Sequence, residues 1–172
     1  MKNIVLKHGL YSTSVVVGIP FLLWVFMPGE PNYDLGEVIG YATMILCMAF
    51  VFLGIREHRD HQLQGVISFW QALKLGMSIA LIPSLAFGIY DLLYVAYLDP
   101  DFYDAYYSQY IAELKSSLTA DDFEKALAEI EAQEEIFTNP LMQFLVMFLT
   151  VFLIGFVVSL LSSLVLKRSA TA

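Results

Sequence analysis

Four stretches of the chain are apolar almost without interruption, and between the third and the fourth lies a stretch where apolar and charged positions alternate at helical spacing. The apolar runs cover about residues 9–27, 38–55, 74–97 and 141–166. A hydrocarbon core about 30 Å thick is crossed by roughly 20 helical residues, so each run predicts a membrane span. The third is the most patterned. Ala72, Gly76, Ala80, Ser84 and Gly88 recur at every fourth position and line one face of a helix. In lipid, helices gain little by burying apolar area against each other, so close approach over small residues becomes a main source of association. The last run repeats the device with Gly155, Ser159 and Ser163, and the third and fourth spans are expected to pack through these faces.

The other two spans carry weaker marks. The first holds Ser14 and Gly18 four apart, Trp24 near its outer end, and Pro20, which frees the carbonyl of Val16 and predicts either a packing kink or a hinge. Pro28, Gly29, Pro31, Asn32 and Gly36 are turn residues, so the first two spans read as an antiparallel pair. Gly36 and Gly40 form a GxxxG pair beside Glu37, expected to serve packing within the chain in preference to a dimer seam.

The alternating stretch, about residues 99–139, predicts two amphipathic helices. Asp99-Pro100-Asp101 interrupts the third span, with Asp99 as the expected cap of a new helix. Tyr103, Tyr106, Tyr107, Tyr110 and Leu114 then recur at helical spacing. Thr119 and Asp122 resemble a capping box, and Phe123, Leu127, Ile130 and Phe137 make a second apolar stripe. The hairpin so formed either packs on itself or presents a docking surface to a protein partner. Its acids match no EF-hand spacing for a divalent cation.

Composition agrees with the pattern. Of 172 residues, 58% are hydrophobic and 15% charged, against roughly 45–50% and 25% in soluble domains, and the mean hydropathy is +0.66. The first run is longer than the usual signal-peptide core of roughly 7–15 residues and lacks a small-x-small cleavage pattern, so it is expected to remain as a first helix. Cys47 is the single cysteine, which excludes an intramolecular disulfide. The net charge of −8 makes nucleic acid a poor partner.

Charge also predicts orientation. Lys2, Lys7, Arg56, Arg59, Lys74, Lys167 and Arg168 fall at one end of the spans, while Lys115 and Lys125 lie in the hairpin, whose net charge is −9. By the positive-inside rule both termini are cytoplasmic and the hairpin is extracytoplasmic.

Two places could carry chemistry. Asp91 falls within the small-residue face of the third span alongside Tyr90 and Tyr94. Intramembrane acids are costly and are functional candidates for that reason, so Asp91 is either a structural anchor or an ion or proton site. Lys74 lies seventeen positions before it, roughly 25 Å along a helix, so each charge reaches its own interface. At the basic end His58 and His61 share a helical face, with Asp60 and His8 on the same side of the membrane. They offer either a transition-metal site, opposed by Arg56 and Arg59, or part of a basic anchor near anionic head groups. No catalytic constellation, phosphate-binding glycine loop or cofactor motif is present.

Taken together, Gly54-Ile55-Arg56, Arg59-Asp60, Gly65, Ser68-Phe69, Ala72-Leu73-Lys74, Gly76, Asp99-Pro100-Asp101-Phe102 and the Gly155 helix with its basic end resemble the domain-of-unknown-function family 4199 of bacterial membrane proteins. The resemblance covers nearly the whole chain and implies four membrane helices with an extramembrane insertion before the fourth. It brings no established activity and so no catalytic residues, and the His58/His61 pair is not part of the pattern.

The expectation is a single all-α membrane domain over residues 1–172, with four transmembrane helices and an extracytoplasmic amphipathic hairpin between the third and fourth. Functionally it is expected to be a non-enzymatic protein of the bacterial inner membrane, with the hairpin meeting a partner or shielding the bundle. The alternative is a small transporter or channel component using Asp91.

Overall fold

The computed structural model describes residues 1–26 and 33–168, of which 34 and 132–136 are described by backbone alone. The turn residues Pro28, Gly29, Pro31 and Asn32 lie outside the described residues, as do the side chains of Glu134 and Glu135. Every regular element described is helical: α1 (Lys2–Phe26), α2 (Tyr33–Cys47), α3 (Ala49–Gln62), α4 (Phe69–Leu93) with a π-wound continuation (Tyr94–Leu98), α5 (Phe102–Ser117), α6 (Ala120–Thr138) and α7 (Pro140–Leu166). Four helical stretches, Lys2–Phe26, Leu35–Gln62, Phe69–Leu98 and Pro140–Leu166, are long and apolar enough to cross a membrane.

These helices overrun the apolar runs at their basic ends. α1 starts at Lys2, not Gly9, and α3 continues beyond the apolar run that ends near residue 55, through His58 and His61. Hydropathy marks where hydrocarbon would end, whereas helix hydrogen bonds are local and continue into polar surroundings. The second span is also not one smooth helix. It is broken at Met48, whose N–H turns to Ile45 O (3.2 Å) while Val51 N–H turns to Met48 O (3.0 Å). The Ser12 hydroxyl of α1 donates to the carbonyl of Cys47 beside the break. A side chain inserted at the helix ladder is a recognised cause of such interruptions.

The chain divides into two compact units, Met1–Phe87 with Phe148–Ala172, and Gly88–Met147. In the first, α1 packs on α2 and α3. Its core holds Val16, Met48, Val51, Ile55, Leu75 and Ile79 among others. Small residues set the closest approaches. A methyl group at Gly76 would sit 2.7 Å from Ser159 Oγ, and one at Gly155 would sit 2.6 Å from Ala80 Cβ. Ala72, Ser84 and Ser163 are buried as well. The hydroxyls of Ser84, Ser159 and Ser163 donate to carbonyls four residues back (2.8, 2.7 and 2.6 Å), so they pack as small residues without an unmet polar group.

Gly18, Gly36 and Gly40 differ, because beyond its chain neighbours and its own helix backbone a methyl placed there would have no described atom within 4 Å. The packing within the chain expected at Gly36 and Gly40 is therefore not made by the described residues. The GxxxG spacing identifies a smooth helix face but does not say which neighbour, if any, meets it.

The link from α3 to α4 is tightly specified. Leu63 and Gly65 N–H return to His58 O (3.2 Å) and Arg59 O (2.8 Å), with positive φ at Gln64 (52°) and Gly65 (87°). Ser68 then caps α4: its N–H donates to Gln71 Oε1 (3.1 Å) and its Oγ accepts from Gln71 N–H (3.3 Å). This is a reciprocal capping box. Ile67 and Arg168 exchange backbone bonds of 3.1 and 3.0 Å, tying the link to the end of α7.

In the second unit, α5 and α6 pack together, with Tyr107 and Ile130 buried and the Tyr103 and Phe137 rings 4.6 Å apart. α5 begins at Phe102, so the flanking residue is Asp101, not the expected Asp99. Asp99 instead closes the π turn, its N–H bonded to Tyr94 O at 2.9 Å. The wider winding ends the third span's last turn at Leu98, and the new helix starts only after the turn at Pro100 and Asp101. At α6 the Thr119 hydroxyl donates to the Asp122 carboxylate (2.8 Å), a side-chain version of the expected box. Asn139 Oδ1 accepts from Leu141 N–H (2.9 Å) and Met142 N–H (3.4 Å), with Pro140 at the first position of α7, where a missing N–H costs nothing.

Candidate functional site

Asp91 lies near the end of α4, within the second unit. Gln143 Nε2, from α7, donates to its Oδ2 at 2.7 Å, and Tyr103 OH, from α5, lies 3.2 Å from Oδ2 and 3.4 Å from Oδ1. Three separate helices thus converge on one carboxylate. Gln143 is buried and lies in the first turn of α7, which starts three residues earlier at Pro140. A methyl group at Gly88 would come within 2.8 Å of the Phe144 ring, so the glycine lets α4 and α7 approach closely beside this group.

Tyr90 and Tyr94, expected beside Asp91, lie on the same helical stretch, and Tyr90 is within electrostatic reach of that carboxylate. Their rings are 5.9 Å apart, and the Tyr94 hydroxyl donates to Asp99 Oδ2 at 3.4 Å. The phenol on Asp91 comes from Tyr103, whose own hydroxyl is pushed well above the ordinary tyrosine range by burial and then by the neighbouring carboxylate. It therefore remains a donor. Among the described residues no cationic side chain pairs with Asp91. Lys74 is exposed, and its carbonyl accepts from Ser78 Oγ at 2.8 Å.

A second polar cluster lies in the first unit. Glu57 of α3 accepts from Lys7 Nζ (2.9 and 3.1 Å) and contacts His8 Nε2 at 2.8 Å. His8 is 5% exposed, and its ring fits against α3 because position 54 is glycine. A methyl group there would lie 3.1 Å from His8 Cγ and 2.5 Å from Ile79 Cδ1. An ionised Glu57 accepts only, which places a ring proton on Nε2, while Nδ1 has no hydrogen-bond partner among the described residues.

Close by in sequence, Arg59 is buried and forks onto Asp60 (Nε to Oδ1 2.6 Å, Nη2 to Oδ2 3.2 Å), with Nη1 directed at Leu166 O (3.4 Å). Arg56 Nε approaches the same carboxylate at 3.7 Å. The histidines considered as metal ligands are engaged separately: His58 Nδ1 with Gln62 Oε1 (2.9 Å), His61 Nδ1 with Glu57 O (3.3 Å) and His8 with Glu57. Among the described residues no group of three or more His, Cys, Asp or Glu side chains is arranged to hold a metal ion.

Sequence reasoning missed Gln143, Glu57 and the placement of His8. Gln143 did leave a signal, as the one strongly polar side chain in the opening turns of the last apolar run. Glu57 and His8 left none, since nothing in either local pattern says that α1 and α3 meet at that height.

No curated protein and no solved structure matches the chain. A family model described as "Protein of unknown function (DUF4199)" matches residues 7–168, which takes in α1 from Lys7 onward, the other three apolar helices, the α5–α6 pair and both polar clusters. The chain therefore belongs to the DUF4199 family.

Proposed function

We propose that this is a non-enzymatic integral protein of a bacterial cytoplasmic membrane, with both termini in the cytoplasm and α5–α6 outside. In this reading the outer helices meet a protein partner or shield the bundle. The observation that carries it is the Asp91 junction. Tyr103 and Gln143 both donate to that carboxylate, so α5 is fastened to the ends of the third and fourth spans. A fastened helix pair with a net charge of −9 over residues 99–139 suits a rigid platform better than a loose solvated loop. The basic residues at the opposite ends of the spans support the orientation.

The test is affinity purification in mild detergent of the intact protein and of a form lacking residues 102–137. A partner that travels with the intact protein and is lost with the deletion supports the reading. A partner set unaffected by the deletion removes the docking role. Cysteine labelling from either side of the membrane, at position 113 and at position 167, tests the orientation separately.

A second reading makes Asp91 an ion or proton site in a small transporter or channel component. It is favoured by the same carboxylate being served by two neutral donors, in a span where an acid is costly. Reconstituted vesicles carrying Asp91→Asn should then lose flux; unchanged flux rejects it.

A further inference from the structure

We propose that the basic end of the first unit holds an anionic phospholipid, with Arg56 and Arg168 at the head group and Trp70 and Lys74 at its flank. The inference rests on the membrane reading above and goes beyond it, since a spanning protein need not select among lipids.

Asp60 lies within electrostatic reach of three arginines: Arg59 in a fork, Arg56 at 3.7 Å, and Arg168. One carboxylate against three guanidinium groups leaves a surplus of positive charge. That surplus is also held in place. Arg59 reaches the carbonyl of Leu166 (3.4 Å), and Arg168 is bonded through its backbone to Ile67, so α3, the α3–α4 link and the end of α7 carry their charges on a braced frame. A braced backbone leaves less freedom to lose when the side chains it carries meet a ligand. Asp60 repels an anion, but its own neighbours more than offset it, and Arg56 and Arg168 remain exposed.

The surroundings favour a lipid over a free anion. Each basic position stands at the end of exposed apolar surface on its own helix: Leu53 (43% exposed) before Arg56, and Leu164 and Val165 (48% and 73%) before Arg168. On α4 Trp70 is 67% exposed and Lys74 follows one turn later. Apolar side chains leading up to a cationic rim match an acyl chain leading up to a phosphate, and tryptophan sits readily at that boundary.

The experiment uses the full-length Trp24→Phe protein, in which Trp70 is the one tryptophan, reconstituted with lipids brominated along the acyl chain. Brominated phosphatidylglycerol is expected to quench Trp70 at a several-fold lower mole fraction than brominated phosphatidylcholine. Arg56→Gln and Arg168→Gln are each expected to reduce that preference about fivefold, the loss given by one basic side chain near an anionic surface. Lys115→Gln should leave it unchanged, and so should millimolar inorganic phosphate. Equal quenching by the two lipids overturns the proposal while leaving the membrane reading intact. A preference that survives both arginine changes, or one that phosphate abolishes, also overturns it. Absence of quenching by either lipid overturns both readings.

Discussion

Gln143 and Asp91, fifty-two positions apart in the chain, meet through a 2.7 Å hydrogen bond that joins the start of the last apolar helix to the end of the third. The donor is buried and the acceptor is a carboxylate, so the bond belongs to the stronger, charge-assisted class. Replacing Gln143 with Leu removes the donor and leaves the carboxylate served by Tyr103 alone. The expected cost is about 1–3 kcal/mol, read as a lower thermal midpoint in detergent by roughly 2–4 °C for each kcal/mol. An unchanged midpoint would mean that water replaces the amide at no cost.

Tyr103 makes a pH-dependent contribution. Its phenol holds its proton to higher pH in the folded protein than in the unfolded chain, because burial and then Asp91 disfavour the phenolate. The folded state therefore binds more protons than the unfolded one once the pH exceeds the ordinary tyrosine value of 10.0. The associated stability is fully present below that pH and is lost as the pH rises beyond it. Thermal midpoints measured from pH 8 to pH 11, a range chosen to bracket roughly the tyrosine value, should fall at the alkaline end. Tyr103→Phe should flatten that fall.

Gly54 and His8 are coupled. A methyl group at Gly54 would press on the His8 ring and on Ile79, so Gly54→Ala is expected to destabilise by about 1–3 kcal/mol. In the background of His8→Ala the ring is gone, and of the three atoms nearest the added methyl only the flexible end of Ile79 is left. The two changes should then be non-additive in a double-mutant cycle, by about 0.5–3 kcal/mol. Strict additivity would show that the ring is not what excludes a side chain at position 54.

The glycines sort into two classes that a single measurement separates. Gly76→Val drives a branched side chain into Ser159, whose Oγ lies 2.7 Å from the first added carbon, and should cost at least about 1–3 kcal/mol. Gly40→Ala enters open space in the interior of α2. There alanine is the better helix former by roughly 0.5–1 kcal/mol, and the variant should be as stable as the parent or slightly more so. Both are read by thermal unfolding of the purified protein.

What the sequence determined by itself is what adds up locally along a chain: four apolar runs long enough to span, the interruption by amphipathic helices after the third, the asymmetry of basic residues, and family membership. Hydrophobic length and periodicity accumulate residue by residue, so Phe69–Leu98 and Pro140–Leu166 are legible before any neighbour is known. The break at Met48, the start of α5 at Phe102 and the partners of Asp91 and His8 were decided by the tertiary structure. A hydrogen bond depends on which helix faces which and at what height, and the bonds that build the two clusters join residues 12, 49 and 52 positions apart. No local pattern encodes that register. For the same reason the equal spacing of Gly36 and Gly40 and of Gly76 and Ala80 looked alike in sequence, although a methyl placed at Gly76 would meet Ser159, Ala80 Cβ would meet one placed at Gly155, and a methyl at Gly36 or Gly40 would meet no described neighbour beyond its own stretch of helix.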